Sequence, residues 1–576
     1  MISRAAARHY RPAQCLLTQS LSATRLGRRG LATVSHSAPP EPLLAPNAET
    51  HSHVPSFVPT QHFIKGRFVP SLDGNRTFPA YNPTDGTQIT VVSEASAADV
   101  DAAVAAARLA QPFWESLPAG VRGAALQELS FIIHDNAPAL AAIESLDSGK
   151  PVHDVRAELQ QVQHVLRYYS GWADKMGGQT IQFEQDIHSY TRLEAIGVIG
   201  QIVPWNYPLS LAVWKMAPAI AMGNTVVLKT SEKTPLSMLY LCELARQTSI
   251  PKGVLNVVSG GAEAGMAIAR HMDIDKVSFT GSTAVGRKIM AMAAESNLKK
   301  VSLELGGKGA NIVFADAELE EALEHCFEGA FSNNGQNCCA GSRILVQSSV
   351  YDEFVNALKE MVRETEFTSQ RSEYLSSCSC ASNTQMDEEV IVGDPRDLDT
   401  THGPLIDSDH LASVRQYIDA GERSGGTLYG GITPPGLNPR GAFITPALFT
   451  DLPATHPIAT EEIFGPVACV IPFDTQEEAI ELANASQYAL AAGVHTRDLS
   501  TAIMMEKSLN AGLVWINTYN RTPPHMPFGG RKSSGMGKEL GEMGIKEYTG
   551  ELRLVGARAL AAFRPGRGGG GGKKWC

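Results

Sequence analysis

Apolar and polar positions along the chain alternate between a period near two and a period near 3.6, and the switches between them mark the elements. Residues 61–79 read as a short strand or hairpin. Ser96-Ala97-Ala98-Asp99 has the form of a capping box and opens an alanine-rich helix through about residue 109. Helical spacing continues over 121–147 and 154–172, while 180–193 partly alternates and predicts a strand or hairpin. From residue 195 strands and helices follow in turn. Strands are predicted at 195–203, 225–229, 254–258 and 276–280, and helices at 209–222, 235–248, 262–271 and on to about 295. This is the βαβ rhythm of an α/β fold, a parallel sheet covered by helices, which binds dinucleotides at the carboxyl ends of its strands.

The longest apolar stretch, 209–228, contains Lys215, Pro218 and Asn224, so it reads as a buried helix running into a buried strand. A chain of 576 residues calls for two or three domains. Its net charge is −11, yet residues 1–40 hold six arginines and no acid; without those six charges the remainder carries −17. An acidic body argues against a nucleic-acid partner. The first 40 residues, rich in Arg, Ala and Ser, have the composition of a mitochondrial transit peptide. Arg28-Arg29-Gly30-Leu31-Ala32-Thr33 looks like a processing site, with cleavage near Leu31 and the matrix as destination. Nine cysteines in that compartment are expected to be mostly reduced, and none has zinc-ligand spacing, so no metal is expected.

Two short segments carry candidate chemistry. Leu303-Glu304-Leu305-Gly306-Gly307-Lys308 supplies a carboxylate, and Gly335-Gln336-Asn337-Cys338-Cys339-Ala340-Gly341 supplies a thiol 34 residues later. A thiol can attack a carbonyl and hold the acyl group as a thioester; a carboxylate can activate the water that releases it. After the strand 276–280, Gly281-Ser282-Thr283-Ala284-Val285-Gly286 could bring backbone N–H groups to a pyrophosphate at a helix N-terminus, or could be a simple turn.

The pair resembles the signature of the aldehyde dehydrogenase superfamily, with Cys338 as nucleophile and Glu304 as base. Val203-Pro204-Trp205-Asn206-Tyr207-Pro208 matches that family's oxyanion motif, so Asn206 and the N–H of Cys338 would hold the oxyanion. The resemblance implies NAD as cofactor. Lys229 and Glu232 would grip the adenosine ribose, Gly281, Ser282 and Gly286 the pyrophosphate, and Glu462 and Phe464 the nicotinamide end, with Pro204, Trp205 and Leu305 alongside. A carboxylate at Glu232 accepts from a ribose 2′-hydroxyl and repels a 2′-phosphate, which favours NAD over NADP. Lys215 and Glu539 resemble residues that move protons away from the site.

Resemblance covers about residues 57–554 and implies three parts. These are a Rossmann-like NAD domain (45–178 and 196–306), a catalytic domain (307–548) and a β arm for homodimers or homotetramers (179–195 and 549–558). A transit peptide (1–31) precedes them and a disordered glycine-rich tail (559–576) follows. Residues 366–390 depart from the family pattern as a polar, aperiodic insertion, either a regulatory loop or a mistranslated segment. Tyr207, Trp214, Tyr519 and Phe528 resemble the aromatic set of the betaine-aldehyde and aminoaldehyde branch, where rings attract a quaternary ammonium. Such rings also line pockets for ordinary aliphatic and aromatic aldehydes; the resemblance puts oxidation of betaine aldehyde to glycine betaine ahead of that broad-specificity alternative. A homologue kept only for binding or structure would have lost a catalytic residue, and Cys338, Glu304 and Asn206 are all present.

Overall fold

Ile199, Val226, Leu228 and Val257 pack into one core while Val198, Val227, Val258 and Val277 pack into another. Successive side chains point to opposite faces of a strand, so strands buried on both sides read as continuous apolar runs. In the computed structural model, which describes residues 54–182, 187–363, 366–367 and 390–557, these strands form the centre of an eight-stranded sheet. Its order is Arg67–Val69, His62–Ile64, Leu255–Ser259, Thr225–Thr230, Val198–Ile202, Lys276–Thr280, Lys300–Glu304 and Gly535–Met536. The middle five strands are parallel, and antiparallel strands close both edges. Strand order reverses between Val198–Ile202 and Lys276–Thr280, the switch point at which such sheets open a crevice.

A second sheet runs Thr427–Gly430, Ala447–Thr450, Val467–Phe473, Arg343–Gln347, Ala310–Val313, Ala491–His495 and Leu513–Ile516. It is parallel except at the first pair and is likewise buried on both faces. A third, antiparallel sheet joins Thr180–Gln182, Ile187–Ala195 and Thr549–Ala557. The expectations for residues 1–40 and 559–576 lie outside the described residues. So does most of 366–390; residues 366–367 pair in parallel with Ile391–Val392.

Two helices differ from their predicted bounds. Ala97–Ser116 begins with the expected capping box at Ser96 but continues past residue 109 through Pro112. Trp114 explains the extension: it is fully buried, and its indole N–H donates to the carbonyl of Ile220 at 3.0 Å. Tertiary packing here outweighs the helix-breaking cost of proline. The predicted helix 121–147 is two, Ala119–Asp135 and Ala137–Ser148, parted at Asn136 (φ −110°, ψ 13°) just before Pro138. The apolar stretch 209–228 is the buried helix Pro208–Ala221 leading into the buried strand Thr225–Thr230. Among the described residues no helix is long and apolar enough to cross a membrane.

Trp114→Ala should remove both the ring and its bond to Ile220, lowering unfolding free energy by about 3–5 kcal/mol. Urea or thermal unfolding measures it; a change within ~1 kcal/mol would show that helix Ala97–Ser116 is held some other way.

Candidate active site

Three chain segments leave the carboxyl ends of the first sheet at its switch point. After Val198–Ile202 come Pro204, Trp205 and Asn206; after Lys276–Thr280 come Gly281 and Ser282; after Lys300–Glu304 comes Leu305. From Glu304 the chain crosses through Gly306 and Gly307 to Ala310–Val313 of the second sheet. Cys338 lies between the turn Ser332–Gly335 and the strand Arg343–Gln347. That turn is left-handed at three successive residues, Asn333, Asn334 and Gly335, at φ 50°, 54° and 66°. Asparagine and glycine tolerate this conformation where other residues are strained.

The crossing brings the two predicted motifs together. A methyl group on Gly307 would collide with the carbonyl oxygen of Cys338, and one on Gly306 with the carboxylate of Glu462. Asn206 is buried and donates from Nδ2 to the carbonyl of Gln336 at 2.9 Å, while Asn333 Nδ2 donates back to the carbonyl of Asn206 at 3.3 Å. Asn206 and the cysteine loop are thereby tied in both directions.

Glu304 is buried, and among the described residues neither of its oxygens has a hydrogen-bond partner. Burial, followed by the charge of Glu539, pushes its carboxyl well up, with Lys215 and Lys538 pulling the other way. Lys215, fully buried, forms an ion pair with Glu539 and donates to Thr280 Oγ1 at 2.6 Å. The half-buried Cys338 thiol is pushed well up, first by the neighbouring Cys339 thiol and then by burial.

Several residues fit a dinucleotide. Lys229, at the end of the second parallel strand, donates to the carbonyls of Thr230 and Gly260 and lies 3.8 Å from Glu232, whose side chain is about half exposed. Burial lowers the Lys229 amine, against the pull of Glu232. Ser282 caps the helix Thr283–Glu295, and Gly286 leaves room for Leu305, which a methyl group would strike. Gly281 donates its N–H to the carbonyl of Glu304 at 3.1 Å. Glu462 accepts from the N–H of Gly307 at 3.0 Å, and burial pushes its carboxyl up to about 7. Phe464 adopts a left-handed backbone (φ 58°), its ring edge-on to Trp205 at 5.3 Å. A half-exposed carboxylate beside a buried ammonium at one strand end, a helix N-terminus at the next and the Glu462 carboxylate at the glycine crossing supply the polar groups that ribose hydroxyls and a pyrophosphate need, so these residues fit the cofactor.

The four predicted substrate rings part company. Trp214 and Phe528 meet edge to face at 5.5 Å. Tyr207 already carries the ammonium of Lys150 over its ring at 3.8 Å, and Lys150 pairs with Glu158 at 2.5 Å. Tyr519 departs from the expectation. It is fully buried beneath the cysteine loop, its hydroxyl donating to the carbonyl of Cys339 at 2.9 Å, its ring hemmed in by Gly329, Gly341 and Gly493. It supports the loop rather than lining a pocket. Sequence reasoning also passed over Lys150, Glu158 and Lys308. Lys308 is buried, and burial lowers its amine to about 8; its place in the Gly306-Gly307-Lys308 run was the available signal.

The sequence profile of the aldehyde dehydrogenase family matches residues 68–388 and 380–552. An aldehyde dehydrogenase of Davidiella tassiana is 46% identical over 493 residues, 85% of this chain and 94% of that protein. The human protein named aldehyde dehydrogenase, mitochondrial is 43% identical over 538 residues, 92% of this chain and 96% of that one. The NAD+ complex of an aldehyde dehydrogenase from Bacillus cereus superposes with a TM-score of 0.80 at 41% identity, covering 87% of this chain and 96% of the other. A betaine aldehyde dehydrogenase from Staphylococcus aureus with NAD+ gives 0.81 at 36%, covering 87% and 96%.

Lys215→Ala should strand the Glu539 carboxylate in the interior and destabilise the fold by about 3–5 kcal/mol. The double variant Lys215→Met/Glu539→Leu should recover most of that loss in thermal unfolding. No recovery would mean that the pair does not act as a unit.

Proposed function

The chain belongs to the aldehyde dehydrogenase family and is an NAD-dependent enzyme of that kind, and from this premise we propose that it oxidises an aldehyde to a carboxylic acid through a thioester on Cys338. The observation that carries this reading is the meeting of the Glu304 and Cys338 segments at Gly307, beside Asn206. Cys338, half-buried, gives up its proton to solvent water and its sulfur bonds to the aldehyde carbon. The oxyanion that forms accepts from the Cys338 N–H and from Asn206 Nδ2, which turns from the Gln336 carbonyl. Each such donor is worth about 3 kcal/mol to the transition state. NAD, when bound, supplies the acceptor for the hydride that the tetrahedral carbon gives up. Lys229, Glu232, Ser282 and Glu462 would hold it.

Collapse of the tetrahedral carbon leaves the thioester. Glu304 then takes a proton from water, whose oxygen attacks the thioester carbon, and the acid leaves as the Cys338 thiol is restored. The unpartnered oxygens of Glu304 suit a group that must accept that proton. Lys215 and Glu539 provide a buried polar route away from it.

The segments 45–178 with 196–306 serve as the cofactor domain, and 307–548 as the catalytic domain. The three-stranded sheet presents Ile181, Tyr190 and Val555 to the outside, apolar surface suited to pairing in a homodimer or homotetramer. The arginine-rich first 40 residues, and the likeness to a mitochondrial relative, support the mitochondrial matrix.

The geometry favours a broad range of uncharged aliphatic or aromatic aldehydes. Trp214 and Phe528 offer an apolar wall, whereas Tyr207 is engaged by the chain's own Lys150 and Tyr519 is withdrawn. Betaine aldehyde is the second reading, supported by the same Trp214–Phe528 wall and by the likeness to a betaine aldehyde dehydrogenase.

Glu304→Gln should lower kcat by about 10²–10⁴-fold yet keep a first burst of NADH, because only release is impaired; Cys338→Ala should abolish the burst. Both groups titrate above their ordinary values and act in their deprotonated forms, so activity should rise with pH. A Glu304→Gln enzyme with no burst would overturn the assignment. For the substrate, kcat/KM for acetaldehyde and benzaldehyde should exceed that for betaine aldehyde. The reverse order would establish the cationic reading.

A further inference from the structure

Two thiols stand side by side at the site, and only one is needed. Their surroundings differ. Cys339 is buried, and its sulfur lies 3.2 Å from Asn337 Oδ1 and 3.6 Å from Asn520 Oδ1. Cys338 Sγ is 4.0 Å from Asn337 Oδ1.

The orientation of both amides follows from the donors around them. The backbone N–H of Cys339 can only donate, and it does so to Asn337 at 3.3 Å, so the oxygen of Asn337 must face it. That leaves the Asn337 NH₂ group to donate to Asn520 Oδ1 at 3.4 Å. The Asn520 NH₂ group in turn donates to Ser332 Oγ at 3.1 Å. Both amide oxygens therefore point at the Cys339 sulfur, and Tyr519 pins the same residue from below through its carbonyl.

The nucleophilic form of cysteine is the thiolate. As a thiol, Cys339 donates its proton to one of these oxygens. As a thiolate it would lose that bond and place a negative sulfur against two amide oxygens.

We propose that Asn337 and Asn520 are positioning residues that decide which of the two adjacent thiols reacts. They hold Cys339 as a hydrogen-bond donor and leave Cys338 as the sulfur that reacts. This rests on the assignment of Cys338 as nucleophile, but the two can fail separately.

Alkylation tests it. Iodoacetamide forms a sulfur–carbon bond with loss of iodide and the thiol proton, and peptide mass spectrometry reads each cysteine separately. In the full-length enzyme Cys338 should be alkylated in step with loss of activity, while Cys339 stays unmodified. In Asn520→Ala and Asn337→Ala, alkylation of Cys339 should speed up by about tenfold, the order of one lost hydrogen bond. Asn520→Asp keeps an acceptor and should leave Cys339 as quiet as in the wild type. Cys339 reacting as fast as Cys338 in the wild type would overturn the proposal. So would folded alanine variants in which Cys339 stays silent, since burial alone would then explain it. Loss of activity without alkylation of Cys338 would instead overturn the nucleophile assignment. A measurement that needs no asparagine variant is the infrared difference between wild type and Cys339→Ser. The Cys339 S–H stretch should lie at the lowered frequency of a hydrogen-bonded thiol, and an unshifted band would refute the device.

Discussion

The close backbone crossing at Gly306 and Gly307 is the constraint on which the site depends. It is the link by which the chain passes from the first sheet to the second, and it runs against the carbonyl of Cys338 on one side and the carboxylate of Glu462 on the other. A side chain at either position would have to displace backbone or a buried acid. Glycine permits the approach, and the approach places a carboxylate at a strand end beside a thiol loop that belongs to the other sheet. Neither sheet contains the site alone. The candidate pair comes together where two α/β layers meet at this strap.

Burial then sets the electrostatics of what the strap assembles. An isolated buried carboxylate is costly to ionise, and Glu304 forms no ion pair among the described residues, so burial outweighs what its neighbours offset. Lys215 could have been that partner, but Glu539 and Thr280 hold its ammonium. The arrangement keeps a compensated ion pair within electrostatic reach of an uncompensated acid. The ion pair is structural in its own right, while the uncompensated acid is left with proton affinity to use. The same division appears at Glu462, where one N–H from the strap offsets only part of the desolvation.

Much of this was legible in the chain. Four strands of the first sheet are legible because both faces are buried, so mainly apolar segments of five or six residues stand out between helical ones, whereas Lys300–Glu304 and the short edge strand Gly535–Met536 are not. Glu304 and Cys338 could be picked out because their chemistry requires particular residue types flanked by glycine. What the sequence concealed depends on contacts far apart along it. The helix Ala97–Ser116 outlasts its periodic pattern because Trp114 reaches Ile220. Tyr519 looked like a pocket ring, since nothing local reveals that Gly329, Gly341 and Gly493 enclose it. Lys150 carries no local mark of its place between Glu158 and the Tyr207 ring.

The C-terminal segment shows why such contacts cannot be read locally. Between residues 528 and 539 the chain supplies Phe528 to the aromatic wall, Gly529 against the Glu304 carboxylate, the edge strand Gly535–Met536 beside Lys300–Glu304, and Glu539 to Lys215. Phe528 and Glu539 also exchange backbone hydrogen bonds, at 2.7 and 2.8 Å, so the segment is a closed loop that enters the site as one piece. It joins Glu304 across more than 220 residues and Lys215 across 324. Contacts of such sequence separation form late, because their loop-closure entropy must be overcome first. The first sheet can pair most of its strands from residues 62–304 alone, yet the Lys215 ammonium stays uncompensated until residue 539 arrives. Completing the Lys215–Glu539 side of the site is therefore coupled to the docking of this C-terminal loop, and a chain lacking it would bury Lys215 without its counter-charge.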